Sequence, residues 1–136
     1  MTISEQRSDV SVGAKPINVI VADDHSMISE CICSFLETRI NGTVSPQSTF
    51  QGAMEAAAAK HCDVILLDMV MPGMDGVQAT EFIRGLPLPQ QPNIIALTAN
   101  VMQSDRERCL EVGMDDHIAK PMRTDELLAK LARWIE

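Results

Sequence analysis

Hydrophobic positions along the chain fall into short continuous runs, separated by longer segments with three/four spacing. The runs "INVIVA" (17–22), "DVILLD" (63–68) and "NIIALT" (93–98) read as buried strands. After the first run, Ile28, Cys31, Ile32, Phe35, Leu36 and Ile40 form one apolar stripe. That spacing predicts a helix capped by Ser26 and stopped by Asn41-Gly42. Gly52 to Lys60 predicts an Ala-rich helix, and "VQATEFIRGL" (77–86) a helix with Ala79, Phe82, Ile83 and Leu86 on one side. Ser104 caps a helix that Gly113 ends. Thr124 caps a last one, with Leu127, Leu128, Leu131, Trp134 and Ile135 on one face. "TVSPQSTF" (43–50) reads as a weak strand and "DHIAK" (116–120) as the final strand, closed by Pro121.

Five strands alternating with five helices imply a parallel sheet with helices on both faces. The most apolar strands belong in the middle, because a strand covered on both sides reads as a continuous run. The strand holding Pro46, which cannot donate to a ladder, and the polar strand 116–120 belong at the edges. With right-handed crossovers, the expected fold is α/β, a flavodoxin-like doubly wound five-stranded parallel sheet of order 2-1-3-4-5. Residues 1–15 are polar and aperiodic and read as a flexible N-terminal tail or linker. Residues 16–136 then make one domain of ordinary size.

Composition narrows the function. Hydrophobic residues are 46% of the chain and aromatics 3%, so the core is aliphatic with Met as a filler. The net charge of −8 argues against nucleic acid as a partner, since binding phosphate backbones needs a basic face. No apolar run approaches the roughly 18–20 residues of a membrane span, so no membrane contact is expected. The cysteines (31, 33, 62 and 109) form no Cys-x-x-Cys pair and read as small buried hydrophobes in a reducing cytoplasm.

The strand ends carry the chemistry. In open α/β sheets ligands bind beyond the carboxyl ends of the strands, near the point where strand order reverses. Asp23-Asp24, Asp68, Thr98-Ala99 and Lys120-Pro121 all fall there. Three clustered carboxylates repel one another and become tolerable with a hard cation such as Mg2+. Three carboxylates, Mg2+ and the Lys120 ammonium sum to zero charge. Such a pocket can accept a phosphoryl group, with Asp68 as the nucleophile that forms an acyl phosphate. His25, His61 and His117 have no ligand spacing.

Together, the acidic pair, "LLDMVMPGMDG", "ALTAN" and "DDHIAKP" resemble the receiver domain of two-component response regulators over residues 17–135. The wording "IIALTANVMQSDRERCLEVGMDDHIAKPM" is most similar to receivers of hybrid sensor histidine kinases. The resemblance implies Asp68 as phosphoacceptor and Mg2+ held by Asp23, Asp24, Asp68 and the Val70 backbone carbonyl. It implies that Thr98 and Lys120 engage the phosphoryl group, that the bond before Pro121 is cis, and that Val70 and Asn100 influence the group's lifetime. His117 occupies the place where the family often has a switching Tyr or Phe. The implied output face spans residues 104–135, and the implied partners are a sensor histidine kinase and a histidine phosphotransfer domain. Enzymatic action is expected only on the chain's own phosphotransfer and dephosphorylation. A stand-alone response regulator is the alternative to a hybrid-kinase module, and monomer and phosphorylation-dependent dimer both stay open. A magnesium-dependent aspartyl-phosphate phosphatase is a further alternative, although Val70 stands where such an enzyme has its second acid.

Overall fold

The computed structural model describes residues 12–59, 61–71, 74–98, 103–120 and 123–134. Its main elements alternate along the chain: β1 (Val12–Ala22), α1 (Ser26–Glu37), β2 (Ile40–Gln47), α2 (Phe50–Ala59), β3 (Val64–Asp68), α3 (Gly76–Arg84), β4 (Asn93–Thr98), α4 (Gln103–Glu111), β5 (Asp116–Ala119) and α5 (Thr124–Trp134). The five strands form one sheet of order 2-1-3-4-5, and every pairing in it is parallel. A short antiparallel ladder, Val70–Met71 against Met74–Asp75, follows β3.

Strand alternation divides the core in two. Val19, Val21, Leu66, Ile95, Leu97 and Ile118 face Ile32 and Leu36 of α1 and Leu127 and Leu131 of α5. Ile20, Ala22, Ile65, Leu67, Ile94 and Ala96 face Phe50, Ala53 and Ala57 of α2, Ala79 and Ile83 of α3, and Cys109 of α4. Every residue of β3 is buried, as a strand covered on both faces must be. The Pro46 strand and the 116–120 strand are the edges, as their sequences require.

Several boundaries and faces differ from expectation. β1 begins at Val12, so positions 12–15 of the expected tail belong to the sheet, across a register irregularity between Val12 and Ile17. α1 ends at Glu37, and Ile40 starts β2. Asn41-Gly42 is therefore no helix stop. Gly42 lies in β2 opposite Ile17 at φ +138°, where a Cβ would fall 1.8 Å from the Ile17 carbonyl oxygen. His25, not Ser26, holds the N-cap position of α1. α2 starts at Phe50, two residues early, with Thr49 Oγ1 accepting from the Gly52 amide. Asp75 caps α3 through a capping box with Gln78. Within that helix Phe82 is exposed, and Val77, Ala79, Thr80 and Ile83 are the residues that turn inward.

The stripe on α1 is also rotated. Ser29, Ile32, Cys33 and Leu36 are buried, whereas Met27, Ile28 and Cys31 are exposed. Cys31 is thus not the buried hydrophobe expected of it, while Cys33, Cys62 and Cys109 are. Burial pushes the Cys62 thiol up to about 12, which keeps it protonated and inert. Met27, Ile28, Cys31 and Phe35 line an open groove of about 350 Å³ against Lys120 and Leu127.

A buried carboxylate fastens α5 to the sheet. Asp116, at the start of β5, accepts from Lys130 Nζ, Trp134 Nε1 and the His117 amide, each at 2.8 Å. Asn93 Nδ2 of β4 donates to the Trp134 carbonyl. Burial pushes the Asp116 carboxyl up, but these donors outweigh it and hold the group below its ordinary value. Because the folded value is depressed, this stabilisation is present above the unfolded pKa of about 3.9 and lost as pH falls through the folded one. Asp116→Asn is therefore expected to lower the urea midpoint at neutral pH and to flatten its acid limb below about pH 4. Urea titrations from about pH 2 to pH 7 check this, and an unchanged acid limb would contradict it.

Candidate functional site

β1 and β3 lie side by side, with Ala22 in register with Leu67. The next residue on each strand is an aspartate, so Asp23 and Asp68 emerge together where the strand order reverses. The Asp23 amide donates to the Gln47 carbonyl at 3.0 Å, which extends the ladder by one bond and fixes the backbone under its carboxylate. On the other side of Asp68, β4 ends at Thr98, whose carbonyl accepts from the Lys120 amide at 2.8 Å. Lys120 thereby reaches the cleft from the end of β5.

Lys120 Nζ stands 3.2 Å from Asp23 Oδ2 and 3.2 Å from Asp68 Oδ2. Both carboxylates are buried (Asp23 0% and Asp68 4% exposed), whereas Asp24 is exposed. Asp23 Oδ1 accepts from the His25 amide at 2.8 Å, and Asp68 Oδ1 from the Val70 amide at 3.1 Å. Burial pushes the Asp23 carboxyl up, but the His25 amide and Lys120 outweigh it and leave it below the ordinary value. For Asp68 burial prevails. The Val70 amide and Lys120 oppose it, the Asp23 charge reinforces it, and the group titrates above its ordinary value.

The donor set suits a hard divalent cation. Asp23 Oδ2 and Asp68 Oδ2 are buried, and the Lys120 ammonium is the positive charge that faces them. Asp24 adds an oxygen at the open side of the cleft. One ligand atom from each of Asp23, Asp24, His25 and Asp68 lies within 4.8 Å of the others. Oxygen donors in this number, on a partly open site, match the preference of Mg2+ for carboxylates and retained water.

Of the site residues expected from sequence, Asp23, Asp24, Asp68 and Lys120 converge. Thr98 terminates β4 beside them, with Ala119 as its register partner. His117 pairs with Ala96 and is half-buried, with Nδ1 3.8 Å from Asp116 Oδ1. Val70 turns its side chain to solvent, 78% exposed, and its amide to Asp68. Asn100 and Pro121 lie outside the described residues. His25, which has no ligand spacing in the sequence, also stands in this cluster. Its Nδ1 is 3.0 Å from Asp23 Oδ1, 3.3 Å from Asp24 Oδ1 and 3.9 Å from Asp68 Oδ2. Adjacency to the acidic pair, in "DDH", was the available signal.

Known proteins agree with this geometry. A family model described as the response regulator receiver domain matches residues 19–132. The signal transduction histidine-protein kinase BarA of Escherichia coli K12 is 36% identical over 118 residues, 87% of this chain but 13% of that kinase. The chain thus spans about an eighth of the length of that relative. Among solved structures, the receiver domain of a sensor histidine kinase from Pseudomonas aeruginosa PAO1, with magnesium coordinated in its active site cleft, is 35% identical. It aligns with a TM-score of 0.79 over 89% of this chain and 98% of that one. The Saccharomyces cerevisiae co-crystal of the histidine phosphotransfer protein Ypd1 with the receiver domain of Ssk1 gives 26% identity. Its TM-score is 0.78 over 88% of this chain and 89% of that one. Since the family model runs from within β1 to within α5 and takes in every charged group of the cleft, this chain belongs to the response regulator receiver domain family.

Proposed function

We propose that the chain is the phosphoacceptor of a histidine-to-aspartate phosphorelay, with Asp68 receiving the phosphoryl group. The observation that carries this reading is the Lys120 ammonium, 3.2 Å from both buried carboxylates at the reversal point of the sheet. An oxygen of Asp68 forms the new P–O bond as the P–N bond to the donor histidine breaks, and the imidazole leaves with that electron pair. Asp23, Asp24, Asp68 and the Val70 carbonyl would hold Mg2+, which offsets charge on the phosphoryl oxygens. Lys120 pairs with the same oxygens from the β5 side, and Thr98 offers its hydroxyl at the end of β4.

The reading extends to partners and context. The donor is a sensor histidine kinase or a histidine phosphotransfer domain, in keeping with the Ypd1 co-crystal among the similar structures. The likeness to BarA favours a module of a hybrid kinase over a stand-alone regulator. No described helix is long and apolar enough to cross a membrane, and we place the domain in the cytoplasm. It acts on its own phosphoryl group only. The phosphatase alternative needs an acid two residues after Asp68, where Val70 presents an apolar side chain to solvent.

A phosphotransfer profile against purified kinases and phosphohistidine domains tests the proposal, and no transfer from any donor would sink it. Lys120→Ala is expected to keep part of the labelling, because Asp68 remains, but to weaken signalling downstream. Normal signalling by that variant would remove Lys120 from the mechanism.

A further inference from the structure

We infer that His25 is a nitrogen ligand in the acidic cleft and gives it added affinity for borderline transition metals, of which Co2+ is a convenient representative. This rests on the reading of the cleft as the cation site of the receiver. The His25 ring nitrogen is close to oxygens of all three carboxylates, at 3.0, 3.3 and 3.9 Å. An independent observation points to a ligand there. The side chains of Asp23 and Asp68 are almost wholly buried, and their Oδ2 atoms share the one Lys120 ammonium at 3.2 Å, which leaves negative charge in the cleft for a cation to balance.

His25 is positioned to turn onto a cation. Its amide is tied to Asp23 Oδ1 at 2.8 Å, which fixes the backbone at the start of α1. Its ring is 60% exposed, so the imidazole rotates without disturbing the core. Two metal–ligand bonds of about 2.1 Å hold ligand atoms at most about 4.2 Å apart. The cluster, now within 4.8 Å, has only to contract by roughly half an ångström. On binding, Nδ1 uses its lone pair for the metal, and any proton on it passes to solvent. Carboxylates alone suit Mg2+ and Mn2+, whereas imidazole suits Zn2+, Ni2+ and neighbouring metals and gains little for Mg2+.

Co2+ alone and Mg2+ alone, titrated into the wild-type chain and into His25→Ala, test this by calorimetry, with the visible bands of bound Co2+ as a second readout. The dissociation constant for Co2+ is expected to rise about tenfold or more, since even partners outside the first coordination sphere are worth roughly 10–100-fold. That for Mg2+ is expected to stay within about twofold, because its ligands are oxygens. The Co2+ bands should shift as nitrogen is replaced by water. Equal changes for both ions, or none, would overturn the role of His25. Asp24→Asn and Asp68→Asn separate the two readings. If they weaken Mg2+ while His25→Ala spares Co2+, only the inference about His25 fails. If they leave Mg2+ binding intact, the cleft is not the cation site, and the proposed function fails with it.

Discussion

The Asp68→Asn protein will take up no phosphoryl group from a small acyl-phosphate donor with Mg2+, while the wild-type chain does. The substitution keeps the shape of the side chain and removes its nucleophile, because an amide oxygen does not form a stable phosphate ester at this position. It also removes one of three negative charges. Lys120 keeps its contact with Asp23 Oδ2, so the cleft retains a paired buried carboxylate. Asp68 Oδ1 accepts one hydrogen bond, from the Val70 amide, and the asparagine carbonyl accepts the same bond. Folding is therefore expected to survive, and an unchanged circular dichroism spectrum is the control. The label on the wild-type chain should be acid-labile and released by hydroxylamine, as an acyl phosphate is. Hydroxylamine-sensitive label on the variant would place the acceptor elsewhere.

A second large effect is expected in the core. Leu66 is fully buried in β3, in register with Val21 on one side and Ile95 on the other. Leu66→Ala should cost about 3–5 kcal/mol, the range for a leucine whose surroundings cannot collapse into the space. That is a large part of the roughly 5–15 kcal/mol typical of a whole domain. Urea unfolding measures it, and a loss under about 1 kcal/mol would contradict the close packing of this layer. Phosphorylation should fall only with the folded fraction and recover on cooling, because Leu66 supplies none of the charged groups. The two predictions thus separate chemistry at the end of β3 from support along its length.

Much of this was legible in the sequence, for identifiable reasons. Continuous apolar runs mark strands covered on both faces, so the central strands could be found directly. Pro46 and the polar 116–120 segment marked the edges in the same way. The convergence of Asp23, Asp24, Asp68 and Lys120 follows from strand ends alone, since a parallel sheet brings all its carboxyl ends to one side. What spacing leaves open is phase. The stripe on α1 fits the right period, but its buried side is centred on Ile32 and Leu36 and leaves Cys31 and Ile28 outside. Phe82 on α3 fails for the same reason. Gly42 looked like a helix stop because glycine serves both purposes, and only the pairing with Ile17 distinguishes them. The place of His25 beside the carboxylates was not legible because ligand-spacing rules look for regular separations, whereas here a helix start brings the neighbour of two aspartates back to them.

The order of the strands also distributes stiffness unevenly around the cleft. Asp23 and Asp68 are anchored to β1 and β3, adjacent inner strands clamped by both halves of the core. Lys120 follows β5, which has a neighbour on one side only. The cleft therefore works like a vice with one fixed jaw and one compliant jaw. On the proposed reading, charge added at Asp68 would pull against Lys120 and meet least resistance on the outer strand. Strain from such a pull would run outward along β5 and reach α5 through the Asp116 clasp on Lys130 and Trp134.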